Sequence, residues 1–282
     1  MTPDLDTLGP CDFGGRLTTG MTAHPKQDPV TGELHFFGCS FTPPYLTYHR
    51  LCAAGDLVES RGVPVAGPTM MHDFALTQNH VVWLDLPVVF DPALAGRGLP
   101  YRWEDSHRAR LGVMRRDGTG SVRWYGISPC YLFHVGNARE DTGGRIVLEA
   151  VRYSPGVFAT TWAQVSGTGD PASAAARTSG GHQHRWTLDP ATGVVAEEPL
   201  DDRGVEFPTI NDERTGRTSR YLYTVGDDTI IKYDTLTQAL LIHPIRGESP
   251  ARRSSYPPPT TRGKTTGGCC LSSPTARANA RT

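Results

Sequence analysis

The sequence predicts an all-β fold built from repeated antiparallel units, and three observations lead there. Short runs rich in β-branched and aromatic residues recur from end to end, each bounded by Gly, Pro or Asp. Gly 31 and Pro 23 in 282 residues favour many turns and few helices. A turn sequence also repeats: "DPVTGEL" (28–34) and "DPATGVV" (189–195) share the form Asp-Pro-x-Thr-Gly-x-apolar, and "DTLTQAL" (234–240) keeps the Asp and the Thr. Asp opens such a turn by bonding its own backbone, and Gly takes the positive φ that closes it. Strand, Asp-turn, strand in succession is the pattern of β-propeller blades.

The predicted strands follow in order: "LHFFGCSF" (34–41), "LTYHR" (46–50), "MMHDFAL" (70–76), "RIVLEAVRY" (145–153), "RYLYTV" (220–225) and "TIIKYD" (229–234). In "MMHDFAL" the alternation puts Phe74 and Leu76 on the side that also carries His72. "VVWLDLPVVF" (81–90) is the most apolar stretch; it is too short to span a membrane and contains Asp85, so it reads as a pair of core strands. No long 3.6-residue period competes with these strands. "ASAAAR" (172–177), between "SGTGD" and "TSGG", reads as a loop insertion.

The net charge of −1 conceals an asymmetry. Residues 246–282 hold seven Arg or Lys and one acidic residue, Glu248, which leaves 21 basic and 28 acidic residues in 1–245. The body is mildly acidic, without a footprint for nucleic acid. Two regions are therefore expected: a β body over 1–245, and a basic Pro/Ser/Thr/Gly-rich tail over 246–282. The tail composition predicts disorder and matches out-of-frame reading of a GC-rich gene. Six cysteines (11, 39, 52, 130, 269 and 270) form no CxxC pair, and no segment resembles a signal peptide. A reducing cytoplasm is the expected location.

The histidines, 10 in all, divide by setting. His35 and His49 lie in alternating strands and suit core or surface. His80 and His107 stand beside polar neighbours, and His243 ends the last strand. His182 and His184 form H-x-H in "GGHQHRW", where the flanking Gly-Gly and Arg predict an exposed turn. His24, His72 and His134 share a different setting, each near a strand end beside a small, polar or turn-forming residue. They are far apart in sequence, so any meeting would be at a common axis, which the inner strands of propeller blades supply. Taken singly, each is better explained as a structural histidine.

Four stretches in order, "AHPKQDPVTGEL", "MHDFALT", "FHVGNARE" and "EFPTINDERTGRTSRYLY", closely resemble the motifs of the carotenoid cleavage oxygenases, a family that includes apocarotenoid and lignostilbene oxygenases. The resemblance runs from about Leu8 to about His243. It implies a seven-bladed β-propeller, present here as several contiguous four-stranded blades, with a non-haem Fe(II) on the axis. His24, His72 and His134 match three of the four iron-ligating histidines. Neutral imidazoles suit Fe(II) and leave positions open for O2. Glu206, in "VEFPTI", matches a glutamate that accepts the outer N–H of a ligand histidine, with His134 its expected partner. Phe207 and Pro208 would shape the wall near the site, Asp73 and Asn137 would support backbone and turn, and Arg217, Arg220 and Tyr221 would pair within their blade.

The implied reaction is oxidative scission of a double bond in a carotenoid, apocarotenoid or stilbenoid, giving two carbonyl products. Such a long apolar substrate would need an apolar tunnel, for which Trp83, Phe90, Trp103, Trp124, Tyr131 and Phe133 are candidates by residue type. Peripheral contact with membranes, to extract the substrate, is compatible with this reading. The chain departs from the family pattern at both ends. Its opening resembles an interior stretch, which places the leading blades and one supporting glutamate upstream of Met1. No Gly-Phe-His-Gly-like stretch follows His243 to give a fourth ligand, and the surroundings of Glu248 do not match a supporting glutamate. The expectation is therefore an enzymatic lineage with an impaired chain; the alternative is a propeller fragment with a binding role only.

Overall fold

The structure is a computed structural model that describes residues 2, 4–96, 98–165 and 180–245. The tail over 246–282 and the "ASAAAR" stretch lie outside the described residues. Among the described residues, four antiparallel sheets of four strands each follow one another along the chain.

The first blade is a meander of β1 (Lys26–Gln27), β2 (Leu34–Cys39), β3 (Leu46–Leu51) and β4 (Leu57–Gly62). The second contains β5 (Ala75–Leu76), β6 (His80–Asp85), β9 (Arg110–Arg115) and β10 (Arg123–Gly126). A hairpin of β7 (Val88–Phe90) and β8 (Tyr101–Trp103) interrupts it between β6 and β9. The third is a meander of β11 (Val135–Glu140), β12 (Ile146–Arg152), β13 (His182–Leu188) and β14 (Val195–Pro199). The fourth runs through β15 (Glu206–Thr209), β16 (Tyr221–Val225), β17 (Thr229–Asp234) and β18 (Ala239–Pro244). The first strands of blades two to four lie side by side, β11 against both β5 and β15.

The repeated turn sequence builds the same turn three times. The carboxylates of Asp28, Asp189 and Asp234 accept backbone N–H groups two residues on, from Val30, Ala191 and Leu236. The residue four positions after each Asp donates its own N–H back to the Asp carbonyl, at 2.8 Å in all three turns. That residue sits in the left-handed region: Gly32 at φ +72°, Gly193 at +80° and Gln238 at +57°. Gln occupies in the third turn a conformation that Gly adopts without cost.

The core is continuous across blades two to four, from Val82, Leu84 and Leu111 through Ile146, Leu148 and Trp186 to Leu222 and Ile231, all buried. A second cluster joins blades one and two through Phe37, Tyr48, Phe74 and Trp83. Burying side chains of this size contributes roughly 2–3 kcal/mol each before the cost of ordering them. No helix among the described residues is long and apolar enough to cross a membrane.

The structure corrects the sequence reading at several places. Residues 70–76 are not one strand: Met70 pairs with β7 through its N–H to the Val88 carbonyl, and only Ala75–Leu76 joins the second blade. The insertion hairpin claims the start of the motif, leaving His72 in the bend between two pairings. The 81–90 stretch does hold two strands, but β6 and β7 belong to different sheets. His182 and His184 are not in a turn; they open β13, opposite Arg152 and Ala150 of β12. The Gly-Gly before them runs beside Val205, whose N–H bonds the Gly181 carbonyl, so those glycines mark a close backbone approach. A helix, α1 (Pro155–Val165), was missed. Its signal is local: Ser154 caps it, with its carbonyl and hydroxyl facing the N–H groups of Phe158 and Val157, and Pro155 takes the first turn.

Candidate metal centre

Four residues occupy equivalent places at the entry to the four inner strands. His24 stands two residues before β1, His72 three before β5, His134 one before β11, and Glu206 opens β15. Because the inner strands lie side by side, side chains at their shared end converge. The ring centroids of His24 and His72 are 4.8 Å apart, and each is 5.0 Å from that of His134. Nitrogens of the three rings all lie within 4.8 Å of one another, the one such group of His, Cys, Asp or Glu found among the described residues.

Hydrogen bonds to the outer nitrogens orient two of these rings. His72 Nδ1 is 2.9 Å from the Phe133 carbonyl oxygen. A carbonyl only accepts, so Nδ1 carries the proton and Nε2 keeps its lone pair. His134 Nδ1 is 2.9 Å from Glu206 Oε2, which fixes the same tautomer. The other oxygen of Glu206 accepts from the Tyr153 hydroxyl at 2.9 Å, and the Phe207 N–H also points at the carboxylate. Burial, reinforced by the Glu206 charge, pushes the Tyr153 hydroxyl well above its usual range, so it stays a donor. His24 is held through its backbone, whose N–H donates to Thr22 Oγ1 at 3.3 Å.

Two of the imidazoles, His24 and His72, are kept neutral. Burial lowers His24 to about 4, helped by Lys26, His72 and His134 and opposed by Asp73. Burial and the neighbouring His134 lower His72 as well. Neutral imidazoles with Nε2 free offer soft-to-borderline nitrogen ligands to a divalent metal, without an anionic ligand among the three. Glu206 places the negative charge one bond further out, behind His134.

The surroundings are aromatic. Phe207 sits at φ +53°, a costly conformation for a bulky residue, and its ring lies 5.0 Å from that of His134. The Phe133 ring meets His72 edge-on at 5.7 Å. Behind Phe133 stand Tyr131, Tyr153 and Phe158, the last of which touches Trp103 and stacks on Trp162. Of the six aromatic candidates, Trp103, Tyr131 and Phe133 belong to this cluster. Trp83 is in the core between blades one and two, Trp124 lies under the Arg110 guanidinium, and Phe90 packs on Phe41. Phe158 and Trp162 escaped the sequence reading with the helix that carries them, although their spacing of four is the helical one.

The remaining predicted residues separate. The Asp73 carboxylate accepts the N–H groups of Phe74 and Val135 at 2.8 and 2.9 Å, and Asn137 bridges the Arg217 carbonyl and the Gly216 N–H. Arg220 pairs with Asp234 inside the fourth blade. Arg217 instead reaches the first blade, 3.1 Å from Asp28. His35 is a satisfied core histidine between the Tyr48 hydroxyl and Arg116, and His80 and His107 pair with Glu140 and Asp85.

Known proteins resemble this chain in sequence and fold. The family model described as retinal pigment epithelial membrane protein matches residues 1–253. A carotenoid cleavage oxygenase of Mycobacterium tuberculosis is 38% identical over 271 residues, covering 80% of this chain and 52% of that protein. Carotenoid 9,10(9',10')-cleavage dioxygenase 1 of Arabidopsis thaliana is 34% identical over 233 residues, covering 81% of this chain and 42% of that protein. Cobalt-substituted apocarotenoid oxygenase of Synechocystis superposes with a TM-score of 0.70 at 25% identity, over 86% of this chain and 55% of that one. The lignostilbene dioxygenase of Pseudomonas brassicacearum shares the fold, with a TM-score of 0.72 at 24% identity. The chain spans about half the length of the relatives it matches. A family match running through all four blades, joined to these identities, shows that the chain belongs to the carotenoid cleavage oxygenase family.

Proposed function

We propose that this chain carries part of the metal centre of a non-haem Fe(II) dioxygenase, with His24, His72 and His134 as ligands and Glu206 as the residue that orients His134. The supporting observation is the convergence of three imidazoles from three blades, two of them with the outer nitrogen already committed to an acceptor. Residues 1–245 are assigned to the blades that build it. The residues fit a first-row divalent metal, and an all-imidazole set suits Fe(II). When bound, Fe(II) would supply the activation of O2.

The chain's own groups do the rest. His72 and His134 hold their Nδ1 protons on Phe133 O and Glu206, so both rings keep one orientation through turnover. Phe133 and Phe207 lie against His72 and His134 and would offer ring surface to a flat conjugated chain. The aromatic cluster behind Phe133 extends that apolar surface, and an oriented double bond beside the histidines is what scission requires. The substrate proposed is a carotenoid, apocarotenoid or stilbenoid, cleaved at one double bond into two carbonyl products.

The test is metal content and turnover. The chain, reconstituted without oxygen, should retain one Fe(II) per molecule, and His72→Ala should retain almost none. On admission of O2 with an apocarotenal or a hydroxystilbene in detergent, mass spectrometry should find two aldehyde products formed only slowly, because three histidines stand where the family pattern has four. Equal iron in the chain and in His72→Ala would overturn the assignment.

A further inference from the structure

The side chain of Asp73 is wholly buried, yet it touches none of the converging ring nitrogens. Its partners belong to the three segments that carry the histidines. Oδ1 accepts from Lys26 Nζ at 2.9 Å, and Lys26 stands two residues after His24. Oδ1 also accepts the Phe74 N–H at 2.8 Å, closing the bend that presents His72. Oδ2 accepts the Val135 N–H at 2.9 Å, and Val135 follows His134 directly. The chain from His72 to Asp73 thus grips the third segment on both sides of His134: His72 Nδ1 holds the Phe133 carbonyl and Asp73 holds the Val135 N–H.

We propose that Asp73 is the positioning residue of the three-histidine site, its carboxylate setting the mutual placement of His24, His72 and His134; this rests on reading those histidines as metal ligands. Three donors meet on two oxygens, which is what one carboxylate satisfies and a neutral amide does not. The inner strands themselves are short near the site. β1 and β5 have two residues each, and the ladders of β1 and β5 begin beyond His24 and His72. Strand pairing therefore does not set these two histidines, and a site that must hold ligands within about half an ångström needs another support. The Lys26–Asp73 contact is the polar tie between the first segment and the other two. His24 has the weakest direct anchoring, so its placement depends most on that tie.

Cobalt(II) in place of iron gives a visible absorption that reports both affinity and coordination, without turnover. Asp73→Asn puts an amide N–H2 against backbone or ammonium donors and should weaken Co(II) binding by about 10- to 100-fold. Lys26→Met releases the first segment alone, leaves both backbone contacts of Asp73 in place, and should weaken binding by about tenfold with a shifted band. Asp201→Asn, which removes a buried carboxylate bound to Tyr233 and Arg203 rather than to the segments of the three histidines, should lower the unfolding temperature and leave Co(II) affinity unchanged. Should Asp73→Asn fail to fold, Lys26→Met decides alone. If the folded variants bind Co(II) as tightly as the unsubstituted chain and with the same band, the positioning role is overturned while the metal site stands. If the unsubstituted chain binds no Co(II), the metal reading falls and this role falls with it.

Discussion

Each histidine proposed as a ligand has two nitrogens with opposite tasks, and for His72 and His134 the protein settles the task by what it offers the outer one. Glu206 does this for His134 with one oxygen while the other holds the Tyr153 hydroxyl. Glu206→Gln keeps the shape but presents an amide that cannot accept from both neighbours through equivalent oxygens. It should cost about 10- to 100-fold in metal affinity, read by Co(II) titration, with little change in the far-ultraviolet circular dichroism. At this scale the sequence was informative only through resemblance. Each histidine alone looked like a core residue, which is what His35 is, bonded to Tyr48 and Arg116. Nothing within ten residues of His72 shows that Phe133 will accept its proton, because that contact spans 61 positions.

The strands carry the histidines to their places, and the bends at strand entries aim them. Gly136, two residues past His134, lies where the register of β11 against β12 shifts. A Cβ there would sit 2.6 Å from Leu222 Cδ1 and 3.3 Å from Pro208 Cβ, so the third blade meets the fourth only because residue 136 has no side chain. Gly136→Ala should destabilise the fold by about 1–3 kcal/mol, measured by urea denaturation, and should separate β11 from β15 enough to weaken the His134–Glu206 bond. The strands from 221 to 225 and 229 to 234 match their β-branched and aromatic runs almost residue for residue. The strand at 70–76 and the turn at 182–184 did not, since a competing hairpin partner or a neighbouring backbone outweighed the local pattern.

Across the whole molecule, the ends of the inner strands opposite the histidines are fastened by charge. Asp28, in the turn after β1, bonds Arg116 at 2.7 Å from the second blade and Arg217 at 3.1 Å from the fourth. Arg116 also donates to the Thr77 and Gln78 carbonyls, and Asn137 of the third blade holds the Arg217 carbonyl. Burial pushes the Asp28 carboxyl up, but the Val30 N–H and the two guanidiniums outweigh it and hold it down at about 2. A carboxylate whose pKa falls on folding stabilises fully above its unfolded value of 3.8, and that contribution is lost as pH drops toward 2. Acid unfolding followed by tryptophan fluorescence should therefore steepen between pH 4 and 2. Asp28→Asn should be less stable at pH 7 by about 3 kcal/mol and less sensitive to acid in that window. An unchanged acid profile in the variant would show that other carboxylates control the transition.

By itself the sequence determined the all-β class, the repeated Asp-turns and the residue types available for chemistry, because alternation and turn formation are local properties of a few neighbouring residues. The order of its motifs pointed to the family. Tertiary structure alone decided which histidines meet, which tautomers His72 and His134 adopt, and that Asp73 ties three segments 48 and 62 residues apart between their histidines. It also decided that Arg217 reaches across to Asp28 of the first blade and that α1 backs the aromatic wall. Those outcomes depend on how blades pack against one another, and no periodicity within a single blade encodes the partner that its neighbour will provide.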